Sequence, residues 1–259
     1  EAGLTDVVSD DRVLLTLQYS TQWDSFAHIG SRFDADGDGE REIVFYNGFR
    51  AGEDVVSAPS REDSESWARY EGTEARALGI QNLAEHGAQG RGVLIDLHHH
   101  FGRTHRAVGY EGLMKVMDED RVEVEKGDMV CLYTGFADVL LEMRKRPDAK
   151  LLRETCTGLD GRDERLLQWI CDSGLAVLAS DNYAVEIIPV SLSKPKPAAL
   201  MPLHEHCLFK NGIHLGEMWY LTGLARWLRE HRRSRFLLTA PPLRLPGAVG
   251  SPATPVATV

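Results

Sequence analysis

The chain has 259 residues, 43% of them hydrophobic, which is enough for one large domain or two small ones and excludes disorder throughout. With 39 acidic and 29 basic residues the formal net charge is -10, so a polyanion is repelled on average and nucleic acid is not an expected partner. Cys131, Cys156, Cys171 and Cys207 form no CxxC pair, no apolar run reaches the ~20 residues that span a bilayer, and the first residues lack the features of a signal peptide, so reduced thiols in a cytoplasmic protein away from membranes are expected.

In chain order, RVLLTLQY from Arg12 to Tyr19 reads as a strand, and REIVFYNGF from Arg41 to Phe49 as a second apolar segment ending at Gly48. The stretch between them, STQWDSFAHIGSRFDADGDGERE, is then a loop or a short helix. Its Asp34, Asp36, Asp38 and Gly39 match the first half of a calcium loop. The acid of the last position would fall at Phe45, however, and EIVFYNG has strand composition where a helix is required, so a solvated acidic turn is expected. Three helix-then-strand units follow: EARALGIQNLAEHG with GRGVLIDL, YEGLMKVMDED with KGDMVCLYTG, and GRDERLLQWICDSG with LAVLASD.

Towards the end, LHEHCLFKNG is a helix closed by Asn211-Gly212, IHLGE a short strand or turn, and WYLTGLARWLREH an amphipathic helix. The basic run from Arg226 to Arg235 reads as a solvated helix face. Residues 240–259, rich in Pro, Ala and Gly, are expected to wrap a surface or another subunit instead of forming core. With no internal repeat or linker, residues 1–259 form a single mixed α/β domain. The tail and the aromatic MWYL segment point to a homo-oligomer.

Asp24 and His28 bring a hard metal ligand and a proton carrier within four residues, beside Trp23. By spacing alone, Asp-x-x-x-His is a helix-face hydrogen bond as readily as a metal site. Trp23 and Phe26 offer an apolar wall to a flat substrate ring, or pack into the core.

Taken in order, TQWDSFAHIG, GRGVLIDL, KGDMVCLYTG, GLAVLASDNYAVE and LHEHCLFKNGIHLGEMWYL resemble the blocks of the cyclase family that includes bacterial kynurenine formamidase and isatin hydrolase. The resemblance implies a swivelling β/β/α fold, an oligomer, and metal-assisted hydrolysis of a small amide, lactam or lactone by water. The family signature, His-x-Gly-Thr-His-x-Asp-x-x-x-His, aligns with Gln18 to His28. Thr21, Asp24 and His28 match it, and Gln18 and Gln22 stand where two metal-binding histidines are usual. The resemblance makes Asp24 a metal ligand and His28 the catalytic residue that exchanges protons. At the other end it makes Glu217 a ligand, together with His204 or His206; His204, at the start of its helix, is preferred.

One divalent ion, manganese or zinc, is therefore expected on Asp24, His204 and Glu217, with Gln22 a further candidate. Loss of two imidazoles leaves a site rich in oxygen, which suits manganese on grounds of hardness, while any remaining imidazole favours zinc. In LIDLHHHFGRTH a continuing strand would set His98 and His100 on one face and His99 on the other. His98 and His100 could then replace the missing ligands, contact the substrate, or bond carboxylates at a subunit contact. IDLHHH also fits the Asp-x-His-x-His opening of an amidohydrolase barrel, but the residues after His100 are too few for the rest of a barrel of typically ~250 residues. A relative that kept the fold, lost the metal and only binds a small molecule is the alternative from a different class. The absence of a G-x-S-x-G elbow counts against a serine hydrolase.

Overall fold

The computed structural model describes residue 3 and residues 5–56, 72–188 and 198–259. Among these, the strands in chain order are Gln22–Asp24 (β1), Ser31–Phe33 (β2), Glu42–Val44 (β3), Val55–Val56 (β4), Glu74–Ala75 (β5), Gln89–Asp96 (β6), Arg106–Val108 (β7), Met129–Tyr133 (β8), Thr157–Leu159 (β9), Val177–Ser180 (β10), His214–Glu217 (β11), Arg235–Thr239 (β12), Gly250–Pro252 (β13) and Val256–Thr258 (β14). Eight of them make one sheet in the order β13-β1-β11-β10-β8-β6-β12-β14. The four central strands are parallel, and the outer pairs are antiparallel.

The two edge strands are neighbours in sequence, and this dictates the shape. A flat sheet of eight strands would separate its edges by about 34 Å at ~4.8 Å per strand. The chain from Pro252 to Val256 spans at most about 14 Å. The sheet must therefore curl until its edges approach each other. Residues 250–258 thus build both edges of the sheet, which corrects the expectation that the tail only wraps a surface.

Strand alternation sorts the side chains between two cores. Val93, Ile95, Val130, Leu132, Leu178 and Leu215 face the helices Tyr110–Asp120 and Glu164–Ser173 and the segment starting at Pro202, whose Leu113, Val116, Leu166, Ile170 and Leu203 complete that layer. Leu94, Met129, Cys131, Val177 and Ala179 face the opposite way, onto Trp23, Trp219, Phe236 and the helix Thr222–Glu230. Within the MWYL segment Trp219 and Leu221 are buried in this layer, while Tyr220 is exposed. Because Trp23 belongs to the second layer, its strand neighbours Gln22 and Asp24 point to the first.

Three local expectations are corrected. RVLLTLQY forms no strand: it has no ladder partner among the described residues, and Val13, Leu14 and Tyr19 are exposed. The loop expected after it contains β1, held between β11 and β13. LHHHF is the helix Leu97–Phe101, started by Asp96, whose carboxylate accepts the His99 N–H at 2.8 Å. The acidic run behaves as a turn joining β2 to β3: Asp34 accepts from the N–H groups of Gly37 and Gly39, and its carboxylates are exposed. Among the described residues no helix is long and apolar enough to cross a membrane.

Deleting residues 250–259 should therefore lower the melting temperature by roughly 10 °C or more, or prevent folding. A melting curve within about 2 °C of the full chain would show that the tail is dispensable wrapping.

Candidate metal centre

The β1–β11 register places Gln22 opposite Glu217, with Asp24 two residues further along on the same face. A residue on each strand thus reaches one buried point from opposite chain ends. The third side chain comes from the helical turn Pro202–His204, which runs directly into a π-helical segment, Glu205–Asn211. His204 is wholly buried and has both ring nitrogens engaged. Nδ1 lies 2.9 Å from Glu186 Oε1, while Nε2 lies 3.0 Å from Glu217 Oε1 and 3.9 Å from Asp24 Oδ2.

Glu186 does more than hold the ring. Its carboxylate also accepts the N–H groups of Leu203 and His204, at 3.1 and 3.0 Å, and so fixes the turn that carries the imidazole. Its own placement depends on Val185, whose φ of 57° is costly for a β-branched residue. Asn182 holds that conformation: its Oδ1 accepts the Val185 N–H at 2.7 Å, and its backbone carbonyl accepts the N–H of Met218, another left-handed residue, directly after Glu217. One asparagine thus braces the turns that present both Glu186 and Glu217. Gly161 has to be a glycine here, because a Cβ would collide with the Glu186 carboxylate and the Leu203 backbone.

Gln22 closes the group from the other side. Its Nε2 donates to Glu217 Oε2 at 3.0 Å and reaches Asp24 Oδ1 at 3.5 Å. Two buried atoms at this point have no partner among the described residues, Gln22 Oε1 and Asp24 Oδ2. Burial opposes the charge on His204, but hydrogen bonds to Glu186 and Glu217 and the nearby Asp24 outweigh it and raise its pKa to about 10. Burial, reinforced by Asp24, pushes Glu217 up to about 8, against the pull of His204.

These residues fit a divalent ion. Asp24, His204 and Glu217 each offer a ligand atom, and the three atoms lie within 4.8 Å of one another. Three buried carboxylates share one imidazole, and Asp24 Oδ2, 3.9 Å from that ring, has no hydrogen-bond donor among the described residues. An imidazole whose far nitrogen is held by a carboxylate is also the usual arrangement of a metal-ligating histidine.

His28 stands at the rim, its side chain 26% exposed and its Nε2 3.9 Å from Asp24 Oδ1. Phe26 is half-buried and stacks on His214, centroids 4.0 Å apart. Trp23 corrects the expectation of a substrate wall. It points to the other side of the sheet, donates Nε1–H to the Ala240 carbonyl at 2.6 Å and packs edge-on against Trp219. Gln18, the other glutamine of the signature, lies against Gly250 with its Nε2 buried and unpartnered.

His98, His99 and His100 do not join the Asp24 carboxylate, because the strand that would have aligned them is a helix. His98 and His99 line a cavity of about 280 Å³ with Tyr133, Asp138 and Arg226. His100 bonds Glu119 and Asp120 at 3.2 and 3.0 Å. His206 faces away from its neighbour His204 and contacts Cys171. A larger cavity of about 350 Å³, lined by Arg121, Arg229, Arg232 and Arg233, likewise contains none of the Asp24 group. The sequence reading missed Glu186 and Asn182. A carboxylate inside the apolar run YAVEII was the available signal, since a buried charge needs a partner.

The family model described as putative cyclase matches residues 4–187, and the chain belongs to that family. His204 and Glu217 lie beyond the matched stretch. Among solved structures, one of a novel cyclase is 26% identical over 100% of this chain and 75% of its own, with a TM-score of 0.74. An isatin hydrolase bound to the product analogue thioisatinate is 13% identical, covering 95% and 73% of the two chains with a TM-score of 0.57. Isatin hydrolase A from Ralstonia solanacearum is 14% identical over 95% and 85%, with a TM-score of 0.50. These last two are similar in fold. No curated protein matches the chain.

Glu186→Gln should weaken divalent-ion binding about 10- to 100-fold, the usual cost of losing a partner behind a ligand. Calorimetric titration with manganese reads this directly, and an unchanged affinity would mean that Glu186 only supports the fold. The pH dependence of the ion-free protein has a definite sign. His204, raised from 6.5 to about 10, stabilises fully below 6.5, and the contribution is lost as pH rises through 10. Glu217, raised from 4.5 to about 8, also favours the protonated fold, so its ionisation costs stability in the same direction. In chelator the melting temperature should fall steadily above neutrality, and a saturating divalent ion should flatten the slope. A chelated protein that gains stability above pH 7 would contradict these assignments.

Proposed function

We propose that the protein is a metal-dependent hydrolase of a small cyclic or aryl amide, lactam or lactone, acting at the Asp24–His204–Glu217 centre. The observation that carries this reading is the unpartnered Asp24 Oδ2, buried beside a histidine whose far nitrogen is already fixed by Glu186. A divalent ion held there would supply Lewis acidity towards a carbonyl and lower the pKa of water. The chain supplies the rest. His28 is partly exposed and close to Asp24, so its imidazole can carry a proton between the reacting centre and solvent. The Phe26–His214 stack, tied to the Asp24 backbone carbonyl through His214 Nδ1 at 3.0 Å, offers a flat apolar face.

With two carboxylates, one imidazole and an amide at Gln22, the donors favour a hard ion such as manganese over the zinc that more imidazoles would select. The reading includes self-association, supported by the exposed apolar side chains of Val7, Val8, Val13 and Leu14. Membership of a family whose fold is shared with isatin hydrolases supports the reaction class, and the choice among amide, lactam and lactone rests on assay.

N-formyl arylamines, lactams and lactones should be tested with the purified protein before and after chelation, and again after manganese or zinc is restored. His28→Ala should lower kcat about 10²- to 10⁴-fold while leaving ion binding nearly unchanged. Asp24→Ala should remove both. Hydrolysis that persists in chelator, or that survives Asp24→Ala, would refute the proposal. An ion that binds stoichiometrically without supporting any turnover would favour a binding protein.

A further inference from the structure

The outer side of the segment that carries His204 holds a second cluster. Cys171, near the end of the helix Glu164–Ser173, places Sγ 3.3 Å from His206 Nε2 and 3.5 Å from Asn211 Oδ1. The Asn211 amide has a definite orientation, because its Nδ2 donates to the His206 carbonyl at 2.7 Å and turns Oδ1 towards the sulfur. The thiol can donate to Asn211 Oδ1, and the imidazole Nε2 meets the sulfur as donor or acceptor according to its tautomer.

The sulfur–nitrogen and sulfur–oxygen separations match two edges of a tetrahedron around a borderline-soft ion. Bonds of about 2.3 Å to sulfur and about 2.0 Å to nitrogen or oxygen at tetrahedral angles give edges near 3.5 Å. We propose that Cys171, His206 and Asn211 form a surface site for a zinc-like divalent ion, separate from the Asp24 centre. Binding exchanges the thiol proton, released to solvent, for a sulfur–metal bond. Cys171 and Asn211 are exposed, so the fourth position is open to water or to a group from another molecule. The cluster ties the end of one helix to the π-helical segment Glu205–Asn211, which begins immediately after His204. Occupancy would stiffen the segment that positions His204.

The full-length chain, titrated with cadmium as a spectroscopic stand-in for zinc, tests the site through the ultraviolet thiolate-to-metal charge-transfer band. The other three cysteines are buried, which leaves Cys171 as the accessible sulfur. The wild type should develop the band with one equivalent. Cys171→Ser should abolish it, and His206→Gln should weaken the underlying affinity roughly tenfold or more. Asp24→Ala should leave the band intact. No band in the wild type, or a band of full intensity in Cys171→Ser, would overturn the proposal. A retained band with no second, Asp24-dependent equivalent in the wild type would instead strike only the reading of the buried centre.

Discussion

Three carboxylates and one imidazole are buried together, and the fold is arranged around satisfying them. Removing an ion from water costs several kcal/mol even after relaxation, so charges are buried only where partners are fixed in advance. Glu186 is the best satisfied, with two backbone N–H groups and the His204 ring. Glu217 has Gln22 and the opposite ring nitrogen. Asp24 is the least satisfied, and the unmet demand converges on its Oδ2. A divalent ion at that point would remove the largest uncompensated term in the cluster.

The rest of the structure can be traced from that demand. β1 and β11 must pair in one register, because a shift by one residue would turn Asp24 towards the Trp23 layer and Trp23 towards the site. The strained residues Val185 and Met218 sit next to Glu186 and Glu217, and Asn182 braces both turns. Such strain persists only where the surroundings over-determine it, and here its effect is to aim two carboxylates at one ring. The curl of the sheet serves the same end. β13 covers the free edge of β1, so that a strand of three residues can hold a buried aspartate.

Much of the scaffold was legible because its central strands are long and apolar. Met129–Tyr133 and Val177–Ser180 are buried on both faces and follow the amphipathic helices Tyr110–Asp120 and Glu164–Ser173. Gln89–Asp96 is buried from Gly92 onward, although the helix expected from Glu74 begins only at Gln81. β1 was not legible: it has three residues, two of them polar, and its strand state comes from neighbours at the far end of the chain. RVLLTLQY misled in the opposite sense, since β-propensity without a partner strand leaves the segment irregular. In LIDLHHHF the apolar period hid a helix start that Asp96 signals as an N-cap, three residues before His99. The convergence of Asp24 with His204 and Glu217 was available only through the family resemblance, because no local pattern joins Asp24 to residues 180 or more positions further on. Without β1 as a strand, the alternation that turns Trp23 away from Asp24 was not available either.

The central claim is that a divalent ion sits among Asp24, His204 and Glu217. Anomalous diffraction from crystals grown with manganese tests it most directly. The account predicts one strong peak within bonding distance of Asp24 Oδ2, His204 Nε2 and a Glu217 oxygen. A map with no peak there, with manganese saturating and the three side chains ordered, would contradict it.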